Sequence, residues 1–508
     1  MDHVKSIVKG STIVFVMILV GTLLGYLLRL FIARNLTVAD YGLFYGVMAF
    51  IGIFAGFRDL GLNAMITKYI PHFRVKDKKN HVKPMLLMIG VIQTIITSVV
   101  MLGIFFLSDW IALTVFGTIA ASIVLKAIAL STIASIYFHI FQSSFQGLRK
   151  IELYSITDVL RVGFIFILTY LFIGNGAQGV SYAYLFGAVG VSLLFSIPFF
   201  YFIRKLHADF SFAKEIRGDI RRKMLRFSGP VLIGNFSGLF TSYFGTIAIA
   251  YFVNLESVGF YQAALPTSQL LQFFAAAIIA VVAPFFAELW AKGDKETIEK
   301  TLGFILLAIF FITLPIIFLA PVVSGDIFIL LFGGNYVGAA PMLLVLFAAA
   351  FMYSLFSIFN TALQSIGRTD HSMKSLWLMA IITIILTFTL VPVLGGIGAA
   401  ISLFVAYFVT ALFAYKYLRR EFSVKLYASK VFGIIASSII MLIAVVVVKQ
   451  FVYMENLYLE AVIMTVMALV LYVLLIVVFK VFTKKDVEKM EELLPLSIVN
   501  ILKKVLRD

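Results

Sequence analysis

Residues 205–226 read KLHADFSFAKEIRGDIRRKMLR, seven Lys or Arg against three Asp or Glu, and form the longest polar segment of the chain. On both sides lie apolar runs of more than twenty residues, 178–203 before it and 227–253 after it. Moving outward, the same alternation continues to both ends. Of 508 residues 62% are hydrophobic and only 13% charged, with a mean hydropathy of +1.06. Soluble domains run nearer 45–50% apolar and about 25% charged, so lipid is the solvent implied here. A bilayer core of about 30 Å takes about 20 apolar residues per helix and tolerates no lipid-exposed irregular backbone. The runs therefore read as spanning helices. Fourteen are counted, near 10–34, 41–70, 84–107, 111–145, 151–173, 178–203, 227–253, 257–290, 301–324, 327–366, 373–393, 395–417, 427–448 and 458–482.

The basic residues set the orientation. All but six of the 41 Lys and Arg occupy the N-terminus and every second gap, including 68–83, 204–226, 416–430 and 480–507. Arg34 and Lys449 lie in the opposite gaps, and Arg29, Arg58, Lys126 and Arg161 lie inside the runs. Short inner loops retain Lys and Arg, which predicts both termini in the cytoplasm of a multi-pass cell-membrane protein. The net charge of +16 is thus a topology signal. It does not indicate a nucleic-acid partner, because no basic domain stands apart from these loops. The first run is long and lacks a small-residue cleavage site, so an anchor is expected there and not a signal peptide. The absence of cysteine excludes disulfides and thiolate metal sites.

An internal repeat appears at an offset near 218. Gly42 returns as Gly259, Ile140-Phe141-Gln142 with Gln146 as Ile358-Phe359-Asn360 with Gln364, and Gly176 with Gly179 as Gly395 with Gly398. The order and the rungs of the ladder are the same. The fold expected is an all-α integral membrane protein of 14 transmembrane helices, with two six-helix lobes related by a parallel pseudo-two-fold repeat, plus two C-terminal helices. Its parts are an N-terminal lobe 1–204, a basic cytoplasmic linker 205–226, a C-terminal lobe 227–420, two further helices in 421–483 and an amphipathic cytoplasmic tail 484–508. The linker reads either as an interfacial helix on the inner leaflet or as a solvated connection.

The segment Arg34-Asn35-Leu36-Thr37-Val38-Ala39-Asp40-Tyr41-Gly42-Leu43, continuing into Phe57-Arg58-Asp59-Leu60-Gly61-Leu62 and Lys68-Tyr69-Ile70-Pro71, resembles the N-terminal signature of polysaccharide and oligosaccharide flippases. The segment Gln142 to Arg149 is similar to that family's pattern at the end of the fourth helix. These flippases share a superfamily with multidrug exporters of the MATE type and with the lipid II flippase. The resemblance covers the whole chain. It implies translocation of a lipid-linked oligosaccharide by alternating access, with the sugar-diphosphate head in a central cavity and the lipid tail outside.

Ions within the runs are the candidate substrate contacts, because a centrally placed charge costs about 2.5–3.5 kcal/mol on insertion scales and so faces protein or water. They are Arg29, Arg58, Asp59, Lys126, Asp158 and Arg161, four cations and two acids, all in the first lobe. Arg161 lies about 15 Å into its helix at 1.5 Å per residue, with Asp158 on the same face at i−3. Arg58 and Asp59 are bracketed by Gly56 and Gly61, where a helix break would turn them inward. Lys126 reads as equally deep and has no obvious partner. Arg29 lies near a helix end and either joins the cavity or snorkels to the interface.

Neutral groups complete the expected lining: His139, Gln142 and Gln146 in the first lobe, and Asn235, Gln262, Gln269, Gln272, Asn360 and Gln364 in the second. Gln262, Gln269 and Gln272 are spaced to share one helical face. Fixed cations opposed by neutral donors suit a diphosphate bridged to hydroxyl-rich sugars. The alternative for the amides and His139 is hydrogen bonding between helices. An ion pair is the alternative for Arg161 with Asp158. Glu288 reads as interfacial and Asp326 as an outer-loop residue.

Enzymatic readings fare poorly. No Walker A loop, H-E-x-x-H motif or metal-binding cysteine cluster is present, which argues against ATP hydrolysis and zinc chemistry. No cofactor is expected beyond a coupling ion, Na+ or H+, whose site the sequence does not identify. A monomer in the bilayer with a lipid-linked oligosaccharide as its substrate is the expected assembly. A multidrug exporter would call for a carboxylate deep in the first or the seventh and eighth helices, and for twelve spans. A lipid II flippase would share its cavity charge between both lobes.

Overall fold

Glycine, proline and capping side chains divide the apolar runs into helices. The computed structural model describes residues 2–75, 79–204, 236–424, 427–451 and 456–482. The linker 205–226, Asn235 and the tail 484–508 lie outside the described residues. The chain is all-helical among the described residues. In order come α1 (Asp2–Asn35), α2 (Val38–Asp59), α3 (Leu62–Val75), α4 (Val82–Phe106), α5 (Ser108–Val115), α6 (Ala120–Gly147), α7 (Ile151–Phe172) and α8 (Gly176–Arg204). After the linker follow α9 (Phe236–Phe252), α10 (Leu255–Gln269), α11 (Gln272–Lys292), α12 (Lys295–Leu331), α13 (Ala340–Ser365), α14 (Thr369–Leu418), α15 (Ala428–Phe451) and α16 (Leu457–Val478).

Eleven helical stretches among the described residues are long and apolar enough to cross a membrane. Several are composite. Residues 38–75 break at Leu60 and Gly61, both at positive φ, where the expected interruption beside Arg58 falls. Residues 151–204 contain α7 and α8, joined through a 3-10 turn at Ile173–Asn175. The 50-residue α14 kinks at Gly395.

Three expectations change. The run 111–145 is two helices, α5 and α6, separated by a turn at 116–119 that holds Gly117 at φ +66°. Gly325 and Asp326 lie within α12 and not in a loop, because the Asp326 carboxylate meets the Lys449 ammonium at 2.6 Å. That pairing neutralises both charges, and the helix runs on to Leu331 before Gly333 turns the chain at φ +103°. The 257–290 run is also divided, at Leu270 and Leu271, by i→i+3 hydrogen bonds from Leu270 to Thr267 and from Leu271 to Ser268.

Positions about 218 residues apart share backbone geometry. Gly176 has φ 64°, ψ −147°, and Gly395 has φ 58°, ψ −138°, a region open to glycine alone. The ends of α6 and α13 close with matching bonds: Arg149 N–H to Gln146 and Lys150 N–H to Phe145, against Gly367 N–H to Gln364 and Arg368 N–H to Leu363. Thr37 and Asn254 each accept the backbone N–H three residues on, at Asp40 and Ser257, capping α2 and α10.

Packing separates two compact units: residues 1–262 with 387–396, and residues 263–386 with 397–508. In the first, α6 is central and lies against α2, α3, α4, α5, α7 and α8. Its core joins Ile66 and Ile70 of α3, Met85 and Ile89 of α4, Phe138 and Phe145 of α6, and Phe195 of α8. Lipid offers little hydrophobic drive between helices, so close approach of backbones does the work. Gly42 of α2 and Gly259 of α10 meet backbone to backbone. A Cβ on Gly42 would overlap the Leu255 carbonyl, and one on Gly259 the Val38 carbonyl. In the second unit α12 packs on α11, α13, α15 and α16.

Proline carbonyl vacancies are filled by tyrosine in both units. Pro315 offers no N–H to the carbonyl four residues back, and the Tyr472 hydroxyl donates to that Phe311 oxygen at 2.8 Å. Pro266 does the same to Gln262, whose carbonyl accepts the Tyr41 hydroxyl at 3.4 Å. At membrane depth an unfilled carbonyl would be costly.

Candidate functional site

The end of α2 delivers Arg58 to α6. Leu60 and Gly61 in the left-handed region stop the helix one residue after Asp59. The Arg58 side chain then donates from Nη1 to Ser135 Oγ at 3.0 Å, while its buried Nε has no hydrogen-bond partner among the described residues. The adjacent Asp59 is occupied differently. Its carboxylate accepts the Asn63 N–H at 3.0 Å and so holds the start of α3, while Gln93 of α4 donates to the Asp59 carbonyl at 3.4 Å.

Two turns further along α6, Gln142 donates to Thr157 Oγ1 and Asp158 Oδ2, both at 2.9 Å. The other Asp158 oxygen takes Arg161 Nε at 3.2 Å and Nη2 at 3.1 Å. The Arg161 guanidinium also sits 5.8 Å from the Phe138 ring centroid. His139 is within electrostatic reach of Arg58 and Arg161, and the two arginines sense each other. Two guanidiniums and one imidazole thus gather on α2, α6 and α7, with Asp158 the carboxylate tied to Arg161.

A third guanidinium is boxed by aromatics. Arg29 of α1 lies 4.1 Å over the Tyr45 ring and donates to Gln262 Oε1 at 3.4 Å, while Gln262 donates in turn to Thr246 Oγ1 at 2.8 Å. The Tyr45 ring and Gln262 hold its head inside the unit, so it does not snorkel. Tyr184 of α8 is within electrostatic reach of both Arg29 and Arg161, and the three arginines, here called the arginine series, belong to the first unit.

Lys126 does not belong to that series. It lies in the second turn of α6 and pairs with Asp109 of α5 at 3.1 Å, a partner hidden by reading 111–145 as one helix. Gln146 is exposed at the end of α6. The three glutamines expected on one face are separated by the turn at 270–271. Gln262 is buried with Arg29, Gln269 is exposed and Gln272 opens α11. Asn360 is buried in the second unit with its Oδ1 unpartnered among the described residues, and Gln364 donates to Ser372 Oγ at 2.9 Å. Glu288 pairs on the surface with Lys292 one turn on. Ser135, Thr157, Thr246 and Tyr184 were missed. Small hydroxyl residues in apolar helices carry little signal, although Ser135 lies one turn before His139.

What this arrangement can do follows from desolvation. A guanidinium at membrane depth costs free energy unless it meets an acceptor, and among the described residues Arg58 hydrogen-bonds the Ser135 hydroxyl, with the Asp59 carboxylate within electrostatic reach. Its open Nε and its neighbour Arg161 form a local excess of donors suited to oxygen anions, which arginine binds in a fork.

Among known proteins, the family model described as polysaccharide biosynthesis protein matches residues 7–290. An uncharacterized membrane protein of Methanocaldococcus jannaschii is 27% identical over 475 residues, 91% of this chain and 93% of its own. The probable low-salt glycan biosynthesis flippase Agl15 of Haloferax volcanii is 23% identical over 443 residues, 87% of this chain and 89% of its own. Of solved structures, the lipid II flippase MurJ in an inward closed conformation superposes with a TM-score of 0.74 at 15% identity, over 92% of this chain and 98% of that one. An inward-facing multidrug resistance MATE family transporter of the MOP superfamily gives 0.65 at 16% identity, over 79% and 94%. With the family match extending over more than half of its residues, the chain belongs to the polysaccharide biosynthesis protein family.

Proposed function

We propose that the protein is a flippase that moves a lipid-linked oligosaccharide, its glycan carried on a polyprenyl or dolichyl diphosphate, from the cytoplasmic to the outer leaflet. The observation that carries this reading is Arg58, a half-buried guanidinium whose buried Nε has no partner among the described residues, within electrostatic reach of Arg161. A diphosphate supplies the acceptors that these donors lack. Family membership and the glycan flippase relative from Haloferax volcanii support the substrate class. Arg29 and Gln262, hydrogen-bonded to each other in the same unit, would meet the sugar hydroxyls or the second phosphate.

The matched backbone at Gly176 and Gly395, and at the ends of α6 and α13, supports fourteen spans with two six-helix lobes, 1–204 and 227–420, in a parallel repeat. The positive-inside distribution supports cytoplasmic termini in the cell membrane. In this reading the arginine series opens to the cytoplasm and then to the outside, and a Na+ or H+ gradient is the candidate drive.

Proteoliposomes containing a fluorescent lipid-diphosphate oligosaccharide test the class, run beside efflux of a cationic dye under imposed proton or sodium gradients. Outward movement of the glycolipid without dye efflux is expected. Dye efflux alone would make the protein a multidrug exporter.

A further inference from the structure

A cavity of about 590 Å³ opens on the first unit, away from the arginine series. Its walls come from α4, α6 and α8, and its lining is apolar except at its ends. Lys83, at the start of α4, and Arg204, at the end of α8, are its charged members. Gly90 leaves room at its floor, where an added Cβ would only reach ordinary contact with Ile140 at 3.8 Å. Phe141 and Phe199, with ring centroids 4.3 Å apart, form a back wall that belongs to the buried core, so the cavity is shaped by fixed packing. Leu87, Val91, Ile95 and Phe200 on its flanks are exposed and face lipid in a membrane.

The dimensions favour one occupant. From Lys83 to Ile95 along α4 is about 18 Å at 1.5 Å per residue, close to half of a bilayer core of about 30 Å. Lys83 and Arg204 close the Lys- and Arg-rich segments 68–83 and 204–226 at their membrane ends, which places both cations at phosphate level on the inner side. Thr94 and Tyr137 share a hydrogen bond of 3.3 Å at the deep end. A polyprenyl carrier is much longer than one leaflet, whereas a phospholipid chain matches it.

We infer that this cavity is a site for an anionic phospholipid of the inner leaflet, one chain lying along Gly90 and Ile95 and the phosphate held by Lys83 and Arg204. It is separate from the proposed transport site, and its placement in the inner leaflet rests on the proposed cytoplasmic sidedness of the basic segments. The occupant would brace α4 against α8.

Native mass spectrometry and thermal melting of the purified full chain, with dioleoylphosphatidylglycerol or dioleoylphosphatidylcholine added, test the inference. Phosphatidylglycerol is expected to be retained and to raise Tm, and phosphatidylcholine to do so weakly. The Lys83→Gln/Arg204→Gln double variant should bind phosphatidylglycerol roughly tenfold to thirtyfold more weakly, as two basic groups at a lipid surface imply. Gly90→Leu, which fills the floor, should lose the lipid with both cations intact. Equal retention of both lipids, or unchanged retention in the double variant, would overturn the site. So would an equal Tm rise from glycerol 1-phosphate without chains, or retention of undecaprenyl phosphate with no retention of phosphatidylglycerol. Because the double variant alters only groups at the cavity mouth, it keeps the test decisive if Gly90→Leu does not fold.

Discussion

Arg58 and Lys126 are both cations in apolar helices, and their surroundings separate them. Arg58 meets Ser135 and keeps an open donor, whereas Lys126 is paired with Asp109. A charged hydrogen bond is worth about 1.5–3 kcal/mol, so Arg58→Gln should lower the translocation rate at least roughly tenfold with membrane abundance unchanged. Lys126→Gln should leave the rate within about twofold, since exposed pairs contribute only about 0–1 kcal/mol. The Asp109 carboxyl is held below the usual carboxylate range by hydrogen bonds from Ser122 and Lys126. A depressed folded value stabilises the fold above the unfolded value of about 3.9, and the contribution is lost as pH falls through the folded value. Melting of Asp109→Asn beside the parent chain should therefore show a gap that is flat from about pH 5 to 8 and closes below about pH 4. The pairing of Arg161 with Asp158 was legible because i and i+3 share a face. Asp109 was not, since a turn concealed in an apolar run brings it to Lys126 from 17 positions away. Arg29 and Gln262, 233 positions apart, meet only through tertiary packing.

At the scale of helices, the proline and tyrosine pairs make a coupling that can be measured. Tyr472→Phe removes the donor to the Phe311 carbonyl that Pro315 leaves unfilled, and should cost about 1–3 kcal/mol in thermal stability. Adding Pro315→Ala restores an N–H to that carbonyl, so the double variant should recover most of the loss; additive effects would sink the explanation. The contact of Gly42 with Gly259 gives a second test. Gly42→Ala places a methyl on the Leu255 carbonyl and should destabilise by about 1–3 kcal/mol. Gly163→Ala, with open space around its Cβ, should be neutral or stabilising by about 0.5–1 kcal/mol. Element breaks were readable where glycine takes positive φ, as at Gly61 and Gly395. The break at Leu270 and Leu271 was not, because it lies within leucines that continue the hydropathy of a helix. The continuation of α12 past Gly325 was equally hidden, since the Lys449 that neutralises Asp326 lies on α15.

For the whole molecule, hydropathy carried the all-helical, multi-pass character, and the offset of 218 picked out positions that share backbone geometry at Gly176 and Gly395. Packing added what the repeat did not: α9 and the start of α10 belong to the same compact unit as residues 1–204. The chain has no cysteine, so single introduced cysteines report sidedness without background. Lys150→Cys should react with an impermeant maleimide only from the cytoplasmic side and Asn175→Cys, exposed in the opposite gap, only from outside, and the reverse pattern would invert the topology. The account rests most on the arginines of α2 and α7 as holders of a diphosphate. Translocation of a labelled lipid-diphosphate oligosaccharide in proteoliposomes, compared among the parent chain, Arg58→Gln and Arg161→Gln at equal protein density, tests this most directly. Outward movement by the parent and a loss of at least roughly tenfold in each variant are expected for removing a charged hydrogen bond. Parent-like movement in both variants would contradict it.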